Sequence, residues 1–192
     1  MNEVRHISND EDLWDLCNLP EFDTIWDKIH QDQKLIMGRQ YWNHTATWYG
    51  DVNYAYFNIK HQAQPLPKEL HMMANYLEQR LDYPTNYFNC LLANAYTNKG
   101  IARHADDEDI FRQPDGTIGA VATISLGGSA TVTITRNDRS EAPISFETKH
   151  GDCYLMPEGN FQDLYKHSVS PCLHPRISLT FRHSTKGGDH VN

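Results

Sequence analysis

In the heptapeptide RISLTFR, residues 176 to 182, the apolar side chains Ile177, Leu179 and Phe181 occupy every second position and the ends are arginines. A period of two is that of a β-strand with one face on a core, because successive side chains point to opposite sides. The same period, rich in β-branched and apolar residues, runs through 87 to 96, 118 to 126, 130 to 135, 144 to 148 and 152 to 156. Gly127 and Gly128 separate two of these runs, and Asn137 with Asp138 ends another, so hairpins and antiparallel pairing are the expected connections.

Before Tyr87 the period is helical. Asn9 and Asp10 can cap a first helix, and Phe22, Ile25, Trp26 and Ile29 recur at helical spacing after Pro20. Leu70, Met73, Leu77 and Leu81 repeat the pattern behind Pro67, which predicts an amphipathic helix over 67 to 81. Two helices are expected ahead of the sheet. The fold class is therefore α+β, an antiparallel β-sandwich or jelly roll flanked by N-terminal helices. A length of 192 residues suits one domain, with a frayed tail after Arg182.

The chain carries a formal charge of −8, but residues 1 to 33 hold nine acids against Arg5 and Lys28. The rest is close to neutral, so a surface for a polyanion is compatible with the total. The acidic leader reads as a solvated helical face. The N-terminus has no apolar or basic leader and no apolar run reaches the length of a membrane span, which leads us to expect a cytoplasmic protein. Cys17, Cys90, Cys153 and Cys172 form no CxxC pair and read as reduced thiols.

Chemistry concentrates in GIARHADDED. His104 and Asp106 stand two apart, and on an extended segment both side chains project to one face and can meet at one cation. His167, in LYKHSV, is the candidate third ligand at the distance of a neighbouring strand. Two histidines and one carboxylate on one side of an ion leave other positions open, as in non-haem Fe(II) oxygenases. Taken alone the pattern also fits a zinc hydrolase, or chance among 11 histidines and 25 acids. The strand of residues 176 to 182 narrows the choice. It spans about 20 Å, and Arg176 and Arg182 directed toward each other leave a gap suited to a small dicarboxylate, which a guanidinium binds bidentately.

In order along residues 45 to 182, TATWYGDVNYAY, NAY, HADDE, ISLGG, HGD, YKHSV and PRISLTFR resemble the AlkB family of Fe(II)- and 2-oxoglutarate-dependent nucleic-acid demethylases. MPEGNFQDLYKHSV is also similar to the AlkB domains of plant RNA virus polyproteins. The resemblance implies a double-stranded β-helix over 87 to 182, a nucleotide-recognition lid with its supporting helix over 45 to 86, and a helical extension over 1 to 44. It implies that His104, Asp106 and His167 hold Fe(II) and form the catalytic centre. Asn94, Tyr96 and Arg176 would hold the distal carboxylate of 2-oxoglutarate, with Arg182 beside the chelating carboxylate and Asp106. Ser178 departs from the family pattern, in which many members carry Asn, and is assigned to the same co-substrate.

The implied reaction uses O2 and 2-oxoglutarate to remove N-methyl groups from 1-methyladenine or 3-methylcytosine in single-stranded RNA or DNA, with release of succinate and formaldehyde. A base worked on in a pocket must leave its stack, and aromatic rings can replace the lost stacking. Tyr49, Tyr54 and Tyr56 are the candidates in the lid segment, set against ordinary core packing, and the face of His104 is a candidate for the opposite wall. Glu108 matches a family acid that contacts the exocyclic amine. The partner is thus a methylated single strand, with no membrane and no obligate protein partner. A protein or small-molecule hydroxylase on the same scaffold and a non-catalytic binding module remain as alternatives. His150, His174 and His183 read as structural or surface residues, and Trp14, Trp26, Trp42 and Trp48 as core or lid hydrophobes.

Overall fold

The computed structural model describes residues 3–36, 45–56 and 59–185, apart from the side chains of residues 33–36, Tyr56 and Ile59. A short strand β1 (Arg5–Ile7) comes first, followed by helix α1 (Glu11–Cys17) and helix α2 (Phe22–Ile36). Asp10 caps α1 by accepting the Leu13 N–H at 3.0 Å, as its position before the apolar run predicts. Strands β2 (Thr45–Tyr49), β3 (Tyr54–Tyr56) and β4 (Ile59–His61) lead into helix α3 (Lys68–Leu81), which ends at Asp82 in the left-handed region. Then come β5 (Cys90–Tyr96), β6 (Ile101–His104), β7 (Val121–Gly127), β8 (Ala130–Arg136), β9 (Ile144–Thr148) and β10 (Cys153–Met156). A helical turn α4 (Phe161–Leu164), β11 (Tyr165–Val169) and β12 (Arg176–Arg182) complete the order.

Two antiparallel sheets face each other. The larger has the order β1-β10-β7-β12-β5-β2 and the smaller β6-β11-β8-β9, the arrangement of a jelly roll, while β3 and β4 form a separate hairpin. The helices cover the outer face of the larger sheet. There Ile29, Leu70, Met73 and Leu77 pack on Leu91, Ile177, Leu179 and Phe181 in one buried cluster. This is the apolar half of RISLTFR, and its burial turns Arg176, Ser178, Thr180 and Arg182 inward, toward the smaller sheet. Val132, Ile134, Tyr154 and Met156 belong to a second buried cluster, and Trp48, Tyr54 and Phe111 to a third. Truncating a fully buried member such as Leu77 to Ala would cost about 2–5 kcal/mol.

Several expectations are corrected. Among the described residues three helices, not two, precede β5, and two strands of the larger sheet, β1 and β2, come before the third of them; the three residues of β1 are too few for a period to show. Gly127 and Gly128 do not make a hairpin, because β7 belongs to the larger sheet and β8 to the smaller. Gly127 has φ +79°, and a Cβ there would sit 2.5 Å from the Pro175 carbonyl oxygen, so glycine is needed for a crossing between sheets rather than a turn within one. Asn137 and Asp138 do join the paired strands β8 and β9. The segment 45–86 is divided, since β2 is an edge strand of the larger sheet paired with β5. His183 and Ser184 are fastened, not frayed: Ser184 N donates to Asn89 Oδ1 at 2.9 Å and Ser184 Oγ to the Ile110 carbonyl. The remainder of the tail from residue 186, like Trp42, lies outside the described residues.

All four cysteines are free and buried. Trp48 is fully buried, whereas Trp14 is half exposed and meets the ring of His150 edge-on. No helix among the described residues is long and apolar enough to cross a membrane.

Candidate metal and co-substrate site

The antiparallel pairing of β11 with β6 sets His167 directly opposite His104, and their ring centroids are 4.2 Å apart. Asp106 follows two residues beyond His104, its backbone N–H held by Gln162 Oε1 at 3.1 Å. One ligand atom from each of the three side chains lies within 4.8 Å of the others, so the spacing read from the sequence becomes one cluster. His104 Nδ1 is 2.9 Å from the Ala102 carbonyl, which fixes the ring and leaves Nε2, 3.8 Å from Asp106 Oδ1, to face the cluster. A histidine oriented this way by its other nitrogen is what a metal site requires.

The electrostatics favour ligation. Burial, aided by His104 and opposed by Asp106, pushes His167 down to about 3, so the imidazole is neutral, as a ligand must be. Burial alone would raise the Asp106 carboxyl, but Arg182, then His167 and His104, hold it well below the usual carboxylate range. Arg182 Nη2 donates to Asp106 Oδ1 at 2.7 Å.

Around this cluster the strand register builds a ladder. Arg176 lies opposite Tyr96 and Gly127, Ser178 opposite Asn94 and Ser125, Thr180 opposite Leu92 and Thr123, and Arg182 opposite Cys90. Asn94, Tyr96, Arg176, Ser178, Thr180 and Arg182 all line the same pocket as the three ligands. The rungs between the arginines carry small hydroxyls on two of the three strands, which leaves an open trough along β12. Arg176 Nη2 donates to Ser125 Oγ at 2.8 Å, and its guanidinium carbon stands 5.6 Å over the Tyr96 ring.

The fit to a metal and a dicarboxylate can be tested on buried polar atoms that lack a partner. Seven of the eleven found among the described residues belong to Asn94, Asp106, Glu108, His167, Arg176 and Arg182, all of them lining this one pocket. Buried polar atoms are otherwise almost always paired, so their concentration here marks a place built for a polar ligand. The free donors on the two arginines suit carboxylates, and the free atoms of His167 and Asp106 suit a cation. The residues present fit Fe(II) and 2-oxoglutarate.

Of the residues expected to meet a substrate, Glu108 and Tyr54 line the pocket. Burial and Asp106 raise the Glu108 carboxyl, with Arg182 and Tyr54 acting against them. Tyr54 is almost sealed from solvent: it stacks on Trp48 with centroids 4.6 Å apart and donates to Glu108 Oε1 at 2.7 Å. Tyr49 is corrected. It lies in the helix-side core, because on β2 it points away from the face that carries Trp48. The Tyr56 side chain lies outside the described residues. His150 is used structurally, its Nδ1 accepting the Gly127 N–H at 3.0 Å. The sequence reading missed Ser125 and Gln162. Ser125 shares the parity of Thr123 in a period-two run and is legible once the register with β12 is known, whereas nothing local marks Gln162.

Comparison with known proteins bears on the same residues. The family model described as the 2OG-Fe(II) oxygenase superfamily matches residues 8–182. The chain is 32% identical over 136 residues to the RNA-directed RNA polymerase of Lolium latent virus and 30% identical over 129 residues to replicase protein 1a of Grapevine leafroll-associated virus 3. These matches cover 70% and 67% of this chain but only 7% and 5% of those proteins, so the chain spans less than a tenth of the relatives' length. Among solved structures, "The structure of OsALKBH1" superposes with a TM-score of 0.62 at 16% identity, covering 95% of this chain and 99% of that one. At that identity the likeness speaks to fold. With the family model running the length of the jelly roll and its donor set assembled in one pocket, the chain belongs to the 2OG-Fe(II) oxygenase superfamily and has the AlkB-like fold.

Proposed function

We propose that the protein oxidatively removes N-methyl groups from 1-methyladenine or 3-methylcytosine in single-stranded nucleic acid, with RNA as the favoured strand. The observation that carries the reading is Glu108: a half-buried carboxylate two residues from Asp106, with Oε1 fixed by Tyr54 and Oε2 without a partner in the pocket. An acceptor held at the mouth of an oxidising site suits the exocyclic amine of adenine or cytosine, which is a donor on the base edge. The similarity to viral RNA replication proteins supports RNA over DNA.

When bound, iron and 2-oxoglutarate supply an oxidation by O2 in which the oxo acid becomes succinate and CO2 and the methyl carbon leaves as formaldehyde. The chain's own residues position the reactants. His104, Asp106 and His167 present a neutral-imidazole and carboxylate face, Arg182 keeps Asp106 ionised, and Asn94, Tyr96 and Arg176 receive a carboxylate at the far end of the trough. The jelly roll buries this end of the pocket, which limits side reactions with water.

The test is mass spectrometry of methylated RNA and DNA oligonucleotides before and after aerobic incubation with the protein, iron and 2-oxoglutarate. Loss of the methyl mass with matching formaldehyde is expected. Succinate produced without demethylation of any oligonucleotide would assign the site to a protein or small-molecule substrate instead.

A further inference from the structure

We infer that Ser125 is a positioning residue for the co-substrate, aiming Arg176 at a distal carboxylate while leaving the guanidinium charge unspent; this rests on the reading of the trough as the 2-oxoglutarate site. Ser125 is fully buried on β7, and Arg176 is 1% exposed on the neighbouring β12. The two are one rung apart, because the Cα partner of Arg176 is Gly127 and that of Ser125 is Ser178. Gly127 offers no side chain, so the hydroxyl from the next rung reaches the guanidinium at 2.8 Å.

A buried guanidinium brings five N–H donors that need acceptors. An acidic partner would cancel the charge, as Asp106 does for Arg182 through one bond at 2.7 Å. Among the described residues no carboxylate forms an ion pair with Arg176, and its Nε has no partner. Ser125 therefore orients the group through one neutral bond and leaves the remaining donors, and the full positive charge, for a ligand carboxylate. The opposite side of the trough repeats the device. There the Ser178 hydroxyl hydrogen-bonds the Tyr96 phenol. Ser125 and Ser178 face each other across β7 and β12, so a pair of short hydroxyls on one rung steers the two large side chains of the rung above. The two arginines are consequently not equivalent: Arg182 serves the metal ligand, and Arg176 serves the free end of the oxo acid.

The experiment is calorimetric titration of the whole chain, loaded anaerobically with Mn(II), with 2-oxoglutarate and with 2-oxopentanoate, which keeps the oxo-acid head and lacks the distal carboxylate. For Ser125→Ala, the dissociation constant for 2-oxoglutarate should rise about tenfold, within the range for loss of a hydrogen bond to a charged group, while 2-oxopentanoate binds as before. In turnover, the KM for 2-oxoglutarate should rise with kcat nearly unchanged. Ser125→Asp should abolish the preference for the dicarboxylate by pairing with Arg176 internally. If Ser125→Ala does not fold, Ser125→Cys keeps the volume with a weak acceptor and should show the same selective loss. Unchanged 2-oxoglutarate affinity, or equal weakening of both acids, overturns the role of Ser125. A wild-type chain that binds neither acid, or binds both alike, overturns the reading of the trough itself.

Discussion

Arg182 and Asp106, 76 positions apart in sequence, meet through a 2.7 Å hydrogen bond in which both side chains are all but removed from solvent. The bond joins the last residue of β12 to the loop that carries the candidate metal ligand Asp106, and it occupies one carboxylate oxygen while the other has no protein partner. A residue that holds a ligand in place in this way commonly controls metal affinity by 10–100-fold.

Arg182→Ala should therefore weaken Mn(II) or Fe(II) binding by roughly 10–100-fold. Arg182→Lys should recover little, because a point charge on a flexible stem does not reproduce a planar fork. Anaerobic metal titration decides the matter, and equal affinity in wild type and Arg182→Ala would remove Arg182 from the metal site.

His104→Ala and His167→Ala should each reduce metal affinity by more than the roughly 100-fold upper range for supporting residues, since each deletes a ligand of the cluster. Metal content after dialysis measures this. His150→Ala, outside the cluster, should keep its metal.

Arg176→Ala should raise the 2-oxoglutarate requirement sharply, because a charge-assisted contact to the distal carboxylate is lost. Initial rates against 2-oxoglutarate concentration report it, and an unaltered KM would contradict the assignment.

Asp10 gives a prediction about stability alone. Burial would raise its carboxyl, but bonds from Tyr76, the Leu13 N–H and Arg80 hold it below its ordinary value. A carboxyl depressed in the folded state stabilises above its unfolded pKa, and the gain is lost as pH falls through the folded value. Asp10→Ala should cost about 1 kcal/mol at pH 7, and less as pH drops below about 4. Urea melts at the two pH values measure the difference.

The legible part of this protein was what periodicity and spacing encode. Alternation in RISLTFR placed Arg176 and Arg182 on one face, and the two-residue step from His104 to Asp106 placed both candidate ligands together, because each depends only on local geometry. What was not legible depends on which strand lies beside which. Gly127 and Gly128 look like a turn until β7 and β8 are found in different sheets, and Ser125 gains its role only through the register with β12. Tyr49 shows the sharper failure: next to Trp48 in the chain, it differs by one step of parity and so faces the helices rather than the site.

The metal and co-substrate site is tested most directly by the visible absorption of the chain mixed anaerobically with Fe(II) and 2-oxoglutarate. An oxo acid chelated to ferrous iron gives a charge-transfer band, and that band is expected in the wild type, lost in His167→Ala, and recovered only at higher 2-oxoglutarate in Arg176→Ala. A wild-type spectrum without the band, or a band untouched by His167→Ala, would contradict the site described.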